Sequence, residues 1–194
     1  MLESVFQFFD KITQNVALKV VLDHVQWVDW FAALFIILGI IYGLQNGFIA
    51  EIAEIAQIMI VIFVVLGHYD KLADFVLHHS QGVFPPEYVP GVCFIVAILM
   101  VWVPLAFLYK YLSKFFHTQM PAPVKLAGGA LLGGVHLLMI FSLFCQAILL
   151  LPFPHLKKPL TPAGTSYSGK YVAELAPKIH DMIYKPVEAM KEDK

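Results

Sequence analysis

The sequence predicts an all-α integral membrane protein: four transmembrane helices with amphipathic interfacial helices at the N- and C-termini. Three observations predict it. Of the 194 residues, 59% are hydrophobic and only 14% charged, whereas a water-soluble domain carries about 25% charged residues. Four apolar runs each approach the roughly 20 residues that a helix needs to cross the hydrocarbon core. At both ends of the chain, outside those runs, apolar residues recur at helical spacing. Composition therefore excludes an ordinary soluble enzyme. Nucleic acid is not an expected partner either. The 13 basic residues are all lysines and are offset by 14 acids to a net charge of −1, so there is no global basic field.

The chain divides into residues 1–26, 27–152 and 153–194. In the first segment Leu2, Val5, Phe9, Ile12, Val16 and Val20 recur at three- and four-residue steps, while Glu3, Gln7, Asp10, Lys11 and Gln14 face away. That pattern suits a helix lying in the headgroup plane, or one packed on the bundle or a partner. Met1-Leu-Glu-Ser opens with an acid, so no secretory signal is expected and the spans direct insertion. The first span, 27–44, is interrupted only by Asp29 and ends at the turn formers Gln45-Asn46-Gly47. The second, 49–66, carries Glu51, Glu54 and Gln57 in its first half.

A polar stretch, 67–88, leads to the third span, 89–112. Pro90 falls in its first turn, where a missing N–H does no harm, and Pro104 lies deeper, where a kink is expected. The fourth span, 126–151, is closed by Pro152 and Pro154. Residues 159–169 read as a flexible connection. After it Val172, Leu175, Ile179 and Ile183 form a second apolar stripe, interrupted by Pro177. Four antiparallel spans place Trp27, Trp30, Tyr69 and Tyr88 at one interface and Tyr42, Tyr109 and Tyr111 at the other, as aromatic belts require. Trp102 is mid-span and reads as packing. Lys110, Lys114 and Lys125 on one side nearly balance Lys19, Lys71, Lys157 and Lys158 on the other, so lysine bias fixes no orientation.

Glycines make the sharpest pattern. Gly39, Gly43 and Gly47 fall four apart at the end of span one, and Gly129, Gly133 and Gly134 repeat the device in span four. Small residues at that spacing let lipid-embedded helices approach closely, within one chain or between copies. The second pattern is charge at depth. Glu51 and Glu54 share a helix face. At about 1.5 Å per residue they lie roughly 6 and 10 Å into the membrane, and His136 about 15 Å down span four from the same side. That depth matches Gln57. The four residues either form a polar track for protons or a small solute, or they are interfacial and paired core groups. Asp29 belongs to the opposite end, about 24 Å of helix away from Gln45. There it suits the first turn of span one, as a cap or interface anchor.

Other chemistry finds no footing in the residues. Cys93 and Cys145 sit in apolar runs without CxxC spacing and read as small buried residues. His78 and His79 are adjacent, and no HxxxH or HExxH occurs, so no metal site is expected. There is no GxSxG elbow and no Walker loop. Neither a cofactor nor a catalytic residue is expected.

Taken together, these residues resemble the colicin V production protein family, usually called CvpA. The likeness begins at Trp27-Val-Asp29-Trp and continues, after an apolar span, through Gly43-Leu-Gln-Asn-Gly47-Phe-Ile-Ala-Glu51. The family typically shows an aspartate opening its first span, a glycine, a basic-Gly-Phe turn and a glutamate four residues on. A second match is Gly129-Ala-Leu-Leu-Gly133 at the start of the last span. Ser168, Leu175 and Pro177 look like the family's short amphipathic C-terminal segment. The resemblance covers residues 27 to 185. Asn46 stands where the family usually has arginine, Lys125 and Leu126 replace an acidic and basic pair, and His136 replaces a further basic position. The stretch before Trp27 looks like an addition. The resemblance implies a multi-pass protein of the bacterial cytoplasmic membrane, linked to toxin production or export. Its implied partners are the lipid bilayer, further copies or other membrane proteins.

Overall fold

The computed structural model describes residues 25–79, 85–112, 121–161 and 166–192. The stripe over residues 2–20 lies outside them. The described residues form helices and no strand: α1 (Trp27–Asn46), α2 (Phe48–His79), α3 (Val89–Leu112), α4 (Ala122–Leu150), a single turn α5 (Pro154–Lys157) followed by a 3-10 turn (Lys158–Leu160), and α6 (Gly169–Glu192). Helices α1 to α4 are each long and apolar enough to cross a membrane.

Helix α4 is the axis of the bundle. It packs against α1, α2, α3 and α6, and its pairing with α1 is the most extensive among the described residues. One core joins Ile58, Val61, Ile62 and Val65 of α2 to Phe94 of α3, Met139, Leu143 and Ala147 of α4, and Ala176 of α6. A second core sets Val28 and Ala32 of α1 and Val172 and Ala173 of α6 around Phe141, Cys145 and Ile148 of α4. Both cysteines are buried and free. Outward, large apolar side chains such as Ile37, Met100, Phe107 and Leu131 are exposed. A face of that kind is a liability in water and the natural contact surface for lipid.

Helix α4 begins at Ala122, four residues before its expected start, and two helices run on where the sequence expects an end or an interruption. Helix α2 does not stop at Leu66 but continues to His79, and its 32 residues make about 48 Å of helix, against a hydrocarbon core of about 30 Å. The extension forms because the polar stretch keeps a helical apolar face. Leu72, Ala73 and Val76 meet Val89 and Cys93 of α3. Helix α6 runs through Pro177 without a break. Its apolar stripe lies on the bundle, where Val172, Ala173 and Ala176 are buried.

The turn between α1 and α2 is a single residue. Gly47 has φ +86° and donates its N–H to the Gly43 carbonyl at 2.9 Å, a backbone state that an L side chain resists. Helix α3 likewise contains Pro104 in its interior without ending there.

Candidate functional site

The glycines set the geometry of the site by fixing how closely α1 meets α4. A methyl added to Gly39 would overlap the Gly133 carbonyl oxygen, and one on Gly43 would overlap that of Gly129. The reverse additions at Gly129 and Gly133 would overlap the carbonyls of Gly43 and Gly39. The two helices therefore touch backbone to backbone within one chain. Gly134 contributes its Cα to the same contact, 2.8 Å from where a Gly39 methyl would sit, but a methyl of its own would have ordinary room, with Ile40 Cγ1 nearest at 3.6 Å. Gly47 serves the turn, as its positive φ shows.

This approach carries His136 of α4 onto the first turns of α2. Its Nδ1 lies 3.4 Å from Glu51 Oε2 and 3.2 Å from Glu54 Oε2. Glu51 is fully buried, and Glu54 and His136 are each 8% exposed. The contacts are close in distance yet lack hydrogen-bond geometry: both Glu51 carboxylate oxygens and His136 Nδ1 are buried without a hydrogen-bond partner. Two carboxylates and an imidazole so enclosed are costly in a membrane protein and mark an interior polar site.

Glu54 is held from the other side. The Tyr42 hydroxyl donates to its Oε1 at 3.4 Å, and Tyr109 lies on the same side. Tyr42, Glu54 and Tyr109 line a cavity of about 190 Å³ together with Gln57, Trp102 and His136. With its amide turned to suit its neighbours, the Gln57 carbonyl accepts from Trp102 Nε1 at 3.2 Å and from Ala106 N at 3.3 Å.

Thus the structure gathers Glu51, Glu54, Gln57 and His136 into one neighbourhood. It adds Tyr42, Tyr109 and Trp102, which the sequence reading places in the aromatic belt or in packing. One signal points to Tyr42: it falls three residues after Gly39, and so beside the helix face that meets α4. Chemically the cluster offers carboxylates and an imidazole that can exchange a proton or hold a cation. Among the described residues the other histidines lie elsewhere, with His78 and His79 Nδ1 each against the carbonyl four residues back, of Asp74 and Phe75.

Asp29 stands at the opposite end, where it joins two distant segments. Its Oδ2 accepts from the Gln26 backbone N–H at 2.9 Å. Its Oδ1 accepts from Ser166 Oγ at 3.0 Å, Ser168 N at 2.7 Å and Ser168 Oγ at 2.6 Å. The carboxylate thus caps α1 and anchors the entry to α6. Two more bonds hold α6 on α4: Ala176 N donates to the buried Ser142 Oγ at 2.9 Å, and the Gln146 side-chain amide donates to the Ala173 carbonyl.

A family model described as Colicin V production protein matches residues 28–177. Neither the curated proteins nor the solved structures contain a match to the chain.

Proposed function

The chain belongs to the colicin V production protein family, and from that premise we propose that it is a non-enzymatic component of a bacterial cytoplasmic membrane, supporting toxin production or export and envelope homeostasis. The observation that carries this reading is the family match itself. It takes in all four apolar helices and extends into α6 as far as Pro177, so it rests on the whole bundle and not on one motif. The Asp29 anchor joins Asp29 and Ser168, both among the residues that carry the resemblance. In this reading the protein acts by packing with itself or with other membrane proteins. The small-residue seam between α1 and α4 is already used inside the chain, which leaves the broad apolar outer faces of α1 and α3 for lipid and partners.

Extraction from native membranes in a mild detergent tests it. Recovery of another membrane protein in fixed ratio supports the accessory role and names the process. A defined complex of this chain alone, with no companion, favours the second reading over it.

A second reading has its own support in the Glu51–Glu54–His136 cluster beside its cavity: a small channel or transporter for protons, ions or polar solutes. It expects flux through the reconstituted protein that falls in Glu54→Gln. Equal flux from empty and loaded liposomes ends it.

A further inference from the structure

We propose that Glu51, Glu54 and His136 form a binding site for a divalent transition-metal ion, with Zn²⁺ as the reference ligand. The proposal stands apart from the family assignment. It begins from distance. The candidate ligand atoms of the three residues all lie within 4.8 Å of one another, and Nδ1 of His136 is 3.4 and 3.2 Å from the two nearest carboxylate oxygens. Ligands at about 2.0–2.2 Å on a tetrahedral zinc ion stand about 3.4 Å apart. The two spacings from His136 to the carboxylates are thus those of atoms sharing a metal, and the third pair stays within 4.8 Å.

The second observation is independent of the spacing. Glu51 is completely buried and both its oxygens lack a hydrogen-bond partner, as does the Nδ1 of His136. Buried polar atoms are nearly always satisfied, and here the orphaned atoms of two helices converge on the same point. A dication satisfies them together. Two carboxylates and a neutral imidazole around M²⁺ also bring the formal charge of the enclosed cluster to zero, removing the main penalty of burying it.

The surroundings complete the arrangement. Tyr42 holds Oε1 of Glu54 while Oε2 faces His136, the outer-shell support that ligating carboxylates normally have. The 190 Å³ cavity beside Glu54 and His136 has room for several waters at about 30 Å³ each. A metal there has three protein ligands and a fourth position open to a water. Imidazole with carboxylate suits zinc.

The full-length chain, purified in detergent and stripped with a chelator, is titrated with Co²⁺ and then with Zn²⁺. One equivalent of Co²⁺ should give visible bands of tetrahedral intensity that Zn²⁺ abolishes. X-ray absorption of the zinc-loaded wild-type protein should show one imidazole with oxygen ligands. Glu51→Gln and His136→Ala should weaken binding by more than about 100-fold, and Tyr42→Phe, acting through Glu54, by about 10- to 100-fold. His78→Ala with His79→Ala should leave it unchanged. Absence of saturable one-to-one uptake by the wild type overturns the proposal, as does uptake that survives in a folded Glu51→Gln variant. So does a ligand set containing two or more imidazoles. If the ligand variants do not fold, the wild-type ligand set decides alone.

Discussion

Adding one methyl group at Gly43 should separate α1 from α4. A Cβ at that position would lie 2.6 Å from the Gly129 carbonyl carbon and 3.1 Å from the Gly133 Cα, besides overlapping the Gly129 oxygen. Relaxed carbon–carbon contacts sit at about 3.5–4.0 Å, so the helices must part by about 1 Å. Overpacking of this kind costs about 1–3 kcal/mol. The upper end applies because every opposing atom is backbone and none can rotate away. Alanine's better helix propensity returns about 1 kcal/mol. The expected net loss for Gly43→Ala is about 2 kcal/mol, a roughly 30-fold shift in the folding equilibrium. Gly134→Ala is the matched control, since its methyl would meet Ile40 Cγ1 at 3.6 Å; it should be neutral or gain up to about 1 kcal/mol. Reversible unfolding in mixed micelles, followed by circular dichroism, measures both. Equal stability of Gly43→Ala and wild type, or equal damage from the two variants, would refute the backbone-contact argument.

Three further outcomes follow from the packing of α6. Asp29→Ala removes the acceptor for Ser166 and Ser168 and should cost about 2 kcal/mol, within the usual range for a charged hydrogen bond; hydrogen exchange should rise at Gly169–Ala176 while the α4 core stays protected. Ser142→Ala leaves the Ala176 amide without its buried side-chain acceptor and should cost about 1–3 kcal/mol, read as lost protection at that amide. The Lys178 ammonium, hydrogen-bonded to Glu174, holds that carboxyl below its usual range. Its contribution is therefore present above the ordinary glutamate value and lost as pH falls through the lower, folded one. Because the pair lies exposed on α6, Glu174→Gln should leave the thermal midpoint at pH 7 nearly unchanged.

The spans were legible because lipid imposes one coarse demand, a long apolar helix, and hydropathy reads that directly. What it reads poorly is a helix that leaves the membrane. Asp70, Lys71 and Asp74 lower the hydropathy after Leu66, yet Leu72, Ala73 and Val76 keep the period that packs on α3. Depth along a helix was equally legible, so Glu51, Glu54 and His136 could be matched by counting residues. Rotation about the helix axis was not, and it is rotation that brings Tyr42 and Tyr109 inward to Glu54. Aromatic residues near a span end give the same signal whether they face lipid or a neighbouring helix. The Asp29–Ser168 bond joins positions 139 residues apart, and no local pattern announces a partner at that distance. The glycine faces announced close approach but left open whether the other helix belonged to the same chain; the structure answers that with Gly39 and Gly43 against Gly133 and Gly129.

The most direct test of the functional account is colicin V release from producing cells that lack their own family member and carry this chain instead. The wild-type chain should restore release, Glu54→Gln should do so equally, and Gly43→Leu, which forces α1 from α4, should not. Failure of a correctly inserted wild-type chain to restore release would contradict that account, and loss of release in Glu54→Gln alone would move the function to the buried polar cluster.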